Sequence, residues 1–391
     1  MSILPHHHPR PIAEAEYRAR VERLQARLAS DGLDGLLCLD PYDVVYLSGF
    51  FHTPSERPIG CFVPARGEPV LYLPELEREH AASSWIAAVA TYEEYPGHLH
   101  PILWMAEHGG AARLGVDALD LRIANELAAA GRRLTPCDAV QRMRWRKSPA
   151  EIALVRTAAA FADRCLEHVL VQAGPIAARG GNELDILQGA LAATEDDIRA
   201  ALGAAFEGTP TRVVGTVHTG PRAALPHGAT STRRPQRGDV LIAGIGVAVG
   251  GYHAESGATF VFGPASRDQQ RCLEAAEACD RAARLACLPG ASAEAVNAAG
   301  LDVLRAAGLG AFIRHRIGHG MGVQGHEGPW LAPGDATTLE AGMVFSNEPG
   351  IYRPGVDGYR TINTMLVTEA GAQVASRFQA EHPLAARTLG A

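Results

Sequence analysis

The feature that most constrains this chain is a helix start in the middle of it. A basic run from Arg142 to Lys147 is followed by Ser148-Pro149-Ala150-Glu151. The serine suits an N-cap, the proline suits the first helical position, and the glutamate three residues on closes a capping box. Behind it, Ile152, Val155, Ala159, Ala162 and Leu166 form a stripe of helical period. A long helix therefore opens a second folding unit. The chain has 391 residues, too many for one ordinary core, and divides into residues 1–145 and 146–391.

The two parts differ in texture. In the first, Tyr17, Val21, Leu24 and Leu28 have helical spacing, and Leu36–Leu39 reads as a short buried strand. Val44–Leu47 reads as a further strand ending at Ser48-Gly49, and Val70–Leu73 as another. A helix over 80–89 and the region 111–132 continue the alternation, which predicts an α/β domain. In the second part the Gly-Gly break at 180–181 precedes a helix expected over 195–202. Strands follow at Val213-Val214, Val240–Ile242 and Ala258–Phe262, then two helices over 268–288 and 292–307. Strands return at Met343–Phe345 and Thr364–Val367. That order predicts an α+β domain.

Composition excludes several classes. Hydrophobic residues make up 47% and charged residues 20%, a globular balance. The net charge of −7, with both signs dispersed, argues against a nucleic-acid surface. No apolar run approaches the ~18 residues of a membrane helix, and the N-terminus has no signal-peptide core. Seven scattered cysteines with no CxxC pair point to a reducing compartment, so the cytoplasm is expected. The run His6-His7-His8 reads as a tail rather than a metal site.

Four clusters carry chemistry. They are Leu225-Pro226-His227-Gly228; Gly250 to Glu255, with Tyr252 and His253; His315 to Gly322 with His326-Glu327; and Ser346 to Gly350, with Glu348. Glycines beside His and Glu allow close approach of another chain or a ligand. Imidazole with carboxylate can move protons or bind a metal.

At these residues the chain resembles the creatinase / aminopeptidase P / prolidase superfamily. GHGMGVQGHEGPWL, GMVFSNEPGIY, RGDVLIAGIGVAVGGYHAE and HTGPRAALPHG are similar to its catalytic segments. SPAEIALVR resembles its linker helix, and YDVVYLSGF a strand of its N-terminal domain. The resemblance implies an α/β N-terminal domain and an α+β catalytic domain of the pita-bread fold.

Metallopeptidases of this superfamily hold two divalent ions with two aspartates, one histidine and two glutamates. By motif these positions fall on Gly244, Glu255, His319, Glu348 and Ile362. Two of the five have no ligand atom, so the resemblance implies a branch lacking the two-metal site, with neither metal nor cofactor. Creatinase, the metal-free hydrolase of the group, keeps the histidine and glutamate found here as His227 and Glu348. Its further glutamate falls on Gly257. An N-terminal-domain arginine of creatinase reaches a partner's substrate, and Arg57 in Ser55-Glu56-Arg57-Pro58 is its counterpart.

The expectation is a metal-independent hydrolase of a C–N bond in a small guanidine, amidine or amide. His227, Glu255, Glu348 and His319 form its catalytic set; His326, Arg57, Tyr252 and Arg360 bind substrate. It acts as a homodimer, each active site completed by the partner's N-terminal domain, on a small molecule, without nucleic acid or membrane. The alternatives are an Xaa-Pro-type peptidase, a mononuclear metallohydrolase using Glu255, His319 and Glu348, and a non-enzymatic binding protein on the same fold. His253 and His315 are expected to be structural.

Overall fold

The computed structural model describes residues 10–390, so His6–His8 lies outside the described residues. The chain divides into two compact units. One runs up to Arg144 and includes Ala205–Thr209; the other comprises Trp145–Ala204 and the chain from Pro210.

The N-terminal unit is a mixed sheet flanked by helices. Its strands are β1 (Gly35–Cys38), β2 (Gly60–Pro64), β3 (Val70–Pro74), β4 (Val89–Tyr92), β5 (Arg113–Val116) and β6 (Arg133–Pro136), in the order β4-β3-β2-β1-β5-β6. The helices are α1 (Glu14–Ser30), α2 (Pro41–Ser48), α3 (Pro101–Gly109), α4 (Leu121–Ala129) and α5 (Ala139–Trp145). Leu37, Phe62, Tyr72, Met105, Leu114 and Leu127 share one core. Two sequence expectations fail here. Val44–Leu47 is helical, because Asp40 caps the amides of Tyr42 and Asp43 and Pro41 occupies the first turn. A short apolar run fits either period, and the cap decides it. The stretch expected as a helix over 80–89 is only a 3₁₀ turn, His80–Ser83, before β4 begins.

The C-terminal unit opens as the capping box requires, with α6 (Pro149–Ala178). Ser148 Oγ accepts from the Glu151 amide at 3.2 Å, and Glu151 accepts from the Ser148 amide at 2.7 Å. The next helix, α7 (Glu183–Leu202), starts twelve residues earlier than expected, because Asn182 caps it directly after the glycines. The strands are β7 (Arg212–Thr219), β8 (Val240–Val249), β9 (Tyr252–Phe262), β10 (Gly318–Gly320), β11 (Glu327–Leu331), β12 (Val344–Asn347), β13 (Gly350–Arg353), β14 (Asp357–Arg360), β15 (Ile362–Thr368), β16 (Gly371–Val374) and β17 (Thr388–Leu389). A continuous antiparallel path runs β11-β10-β12-β15-β9-β8-β7; β16 pairs with β15, and β17 lies parallel to β9. β13 and β14 form a separate hairpin. The small residues Ala158, Ala159 and Ala162 of α6 are buried, which lets that helix lie close across β8 and β9. The helices α8 (Arg267–Ala286) and α9 (Ala293–Ala306) pack together and share a core with Ile242, Phe345 and Met365.

One buried ion pair ties the start of this unit to β11. Lys147 Nζ lies 2.6 Å from Glu327 Oε1, with both side chains almost wholly buried. Breaking such a pair leaves an uncompensated charge, at a cost of about 3–5 kcal/mol. Lys147→Met is therefore expected to lower urea-unfolding stability by that order. Lys147→Met combined with Glu327→Gln is expected to recover most of the loss.

Candidate active site

Three strands deliver the site from residues far apart in sequence. Glu255 lies on β9 and His319 on β10, while Glu348 directly follows β12. Each is placed by register. His319 pairs with Ser346 across β10 and β12, and Ser346 pairs with Thr364 across β12 and β15. The Thr364 hydroxyl accepts from the Glu255 amide and donates to the Glu255 carbonyl, at 2.9 and 2.7 Å. Ser346 Oγ then donates to Glu255 Oε2 at 2.7 Å. The Glu348 amide donates to the Ile317 carbonyl at 2.7 Å, which fixes the chain as it leaves β12. Ser346 and Thr364 escaped the sequence reading, since no motif distinguishes a strand hydroxyl that orients a carboxylate.

His319 is fully buried. Its Nδ1 lies 3.0 Å from the Gly320 carbonyl, and only a protonated nitrogen can donate there. In the neutral ring, Nε2 is then a lone pair, and it is buried without a hydrogen-bond partner. It faces two carboxylates, Glu348 Oε1 at 3.5 Å and Glu255 Oε2 at 3.7 Å. A lone pair against two anions calls for a proton or a cation between them. The His326 ring stacks on His319 at 3.7 Å, and its Nε2 lies 3.8 Å from Glu255 Oε1. His326 therefore faces the site rather than standing behind it. Burial pushes the Glu348 carboxyl above its usual range, and the neighbouring Glu255 charge adds to that, against opposing effects of His319 and Arg360.

Glu255, His326 and Glu348 border a cavity of about 430 Å³ whose wall also includes His227, Gly244, Ile362 and Arg360. His227 sits at the exposed rim. The remaining candidates fall elsewhere. Tyr252 lies two residues from Ala254 and three from Glu255, on the opposite face of β9, where its hydroxyl donates to Glu151 at 2.9 Å. It braces the start of α6 and does not line the cavity, which corrects its assignment to substrate. Arg57 belongs to the N-terminal unit, where its Nε donates to Glu94 at 2.7 Å. His253 Nδ1 donates to the Gly322 carbonyl at 3.0 Å. His315 is held between the Arg316 carbonyl and the Tyr352 hydroxyl, and burial lowers its pKa to about 4.

The donors present fit one divalent ion. Glu255, His319 and His326 each offer a ligand atom within 4.8 Å of the others, and Glu348 adjoins them. Gly244 and Ile362 offer none. A Cβ on Gly244 would stand 2.6 Å from Arg360 Nη2, so a guanidinium fills that side of the cavity. Gly257 has no space for a carboxylate either, since its Cβ would stand 2.5 Å from Ile362 Cδ1.

The sheet, its covering helices and the convergent His and Glu side chains define a pita-bread catalytic domain, preceded in the chain by a smaller α/β domain. The model for the Creatinase/Prolidase N-terminal domain matches residues 20–145, and that for Metallopeptidase family M24 matches residues 153–369. The chain is 34% identical over 371 residues to the probable dipeptidase PepE of Mycobacterium tuberculosis, covering 92% of this chain and 94% of that one. It is 26% identical over 365 residues to the Xaa-Pro dipeptidase of Pyrococcus furiosus, covering 93% and 99%. The crystal structure of dipeptidase PepE from Mycobacterium ulcerans superposes with a TM-score of 0.82 at 30% identity, covering 97% and 98%. The chain belongs to metallopeptidase family M24. Its relatives are peptidases, which supports the peptidase alternative of the sequence reading more than a guanidine hydrolase. Among the described residues, no helix is long and apolar enough to cross a membrane.

The raised Glu348 pKa has a signed consequence for the metal-free protein. Stability associated with that group is fully present below its usual value near 4.5 and is lost as pH rises through its folded value. Glu348→Gln in chelator-treated, dialysed protein is expected to raise the melting temperature at pH 7–8, with the gain vanishing towards pH 4. Thermal unfolding across that range checks it; a gain that grew on acidification would refute the assignment.

Proposed function

We propose that this protein hydrolyses the amide bond of a small peptide, using one divalent ion where its relatives' family motif provides for two. The observation that carries the reading is His319 Nε2, a buried ring nitrogen without a hydrogen-bond partner, facing Glu255 and Glu348. Glu255, His319 and Glu348, with His326 beside them, would hold the ion. When bound, it supplies Lewis acidity and lowers the pKa of a coordinated water. The absence of donors at Gly244 and Ile362, and the guanidinium beside Gly244, support one ion rather than two.

The chain's own groups supply the rest. Ser346 holds the Glu255 carboxylate in one orientation. His227, at the rim, passes a proton to the departing nitrogen, a task suited to an imidazole near neutral pH. Ile362, Ile245 and Val214 give the cavity an apolar wall. On this reading the protein works in the cytoplasm as a homodimer, and Arg57 reaches the substrate in the partner's site.

Elemental analysis of purified protein, with a panel of dipeptides, creatine and cyclic amidines, tests the reading. One ion per chain with dipeptide turnover is expected. Two ions would overturn the single-ion reading. No ion, with turnover of a guanidine or amidine, would establish the metal-free alternative instead.

His227→Ala is expected to lower kcat by about 10²- to 10⁴-fold while leaving metal content and thermal unfolding unchanged. Near wild-type turnover would remove His227 from the mechanism.

A further inference from the structure

Arg360 is a buried cation without a paired carboxylate, although its charge reaches Glu348. It is 7% exposed, and among the described residues no salt bridge joins it to a carboxylate. Nη1 donates to the Pro226 carbonyl at 3.2 Å, and the guanidinium also bonds the Tyr352 hydroxyl. Its Nε is buried without a hydrogen-bond partner. Among the described residues the other buried arginines, Arg20, Arg144 and Arg387, each have a carboxylate within reach. A guanidinium in this state is costly unless an anion joins it.

The surrounding sequence is arranged to keep it there. Gly244, Gly257 and Ile362 form one row across three strands: Gly244 pairs with Gly257, and Gly257 with Ile362. A side chain at Gly244 would meet Arg360, and one at Gly257 would meet Ile362. The two glycines thus clear the floor of the cavity, and Ile362 and Arg360 fill it. A relay then fixes the guanidinium. His315 Nδ1 donates to the Arg316 carbonyl, so its Nε2 accepts from the Tyr352 hydroxyl at 2.8 Å. The Tyr352 oxygen is left to accept from Arg360. Glycine at 350 leaves room for the Tyr352 ring, which a Cβ there would strike.

We propose that Arg360 is the anion-binding group of this cavity and receives a carboxylate of the substrate, a role open to it because Gly244 puts no acid beside it. A planar guanidinium with donors left over matches a carboxylate in a charge-assisted pair. The substrate is then an amide with a free carboxylate near the scissile bond, with Glu255 and Glu348 lining the same cavity. The identity of that amide rests on the peptidase reading; the anion site does not.

The test is binding, without turnover. Purified protein, with metal content measured in each variant, is titrated with ¹³C-acetate by NMR, and acetamide serves as the neutral control. Arg360→Met is expected to weaken acetate at least ten-fold at unchanged metal content. Gly244→Asp, which keeps the arginine but displaces its guanidinium and gives it an internal carboxylate, is expected to weaken acetate equally. It decides the matter if Arg360→Met fails to fold. Acetate affinity unchanged in Gly244→Asp, or acetamide binding as well as acetate, would overturn the proposal. A failed peptidase assay with intact acetate binding would sink the hydrolase reading alone.

Discussion

Antiparallel register across β9, β15, β12 and β10 is the constraint on which the site depends. Side chains alternate faces along a strand, so a slip of one residue would turn every cavity-facing group away. Glu255, His319 and Glu348 come from segments separated by tens of residues, yet their spacing is set by a few ladder pairs and by two hydroxyls, Ser346 and Thr364. The outer elements serve that register. The small-residue face of α6 lets it lie against β8 and β9, and the buried Lys147–Glu327 pair holds the edge at β11.

On this scaffold the charge pattern is unusual for a cavity of its size. Two carboxylates crowd an imidazole nitrogen that has no hydrogen-bond partner, and an arginine without a paired carboxylate lines the same cavity. Each group is incomplete by itself. The acidic group calls for a cation, and the basic group calls for an anion. A cavity lined in this way suits a ligand that presents an amide between a metal-directed end and a carboxylate.

Glycine contributes through what it leaves out. Gly244 and Gly257 face each other across β8 and β9, and the missing side chains are the volume that Arg360 and Ile362 occupy. Substitutions in this row are therefore coupled: restoring an acid at Gly244 also changes the partner set of Arg360.

The amino-acid sequence alone determined the two-domain architecture, because a capping box at Ser148 and a change of hydrophobic period are local signals that need no tertiary contact. It also brought out His227, Glu255, His319 and Glu348, since glycine-flanked His and Glu motifs survive as strings. It misjudged Val44–Leu47, where a short apolar run fits both periods and the Asp40 cap decides, and Tyr252, where only strand parity shows which way the ring points. Tertiary structure alone decided that His326 stacks into the site, that Ser346 orients Glu255, and that Arg360 stands beside Gly244. Those relations join residues up to 116 positions apart through sheet register, and register is a property of the paired strands together rather than of either segment.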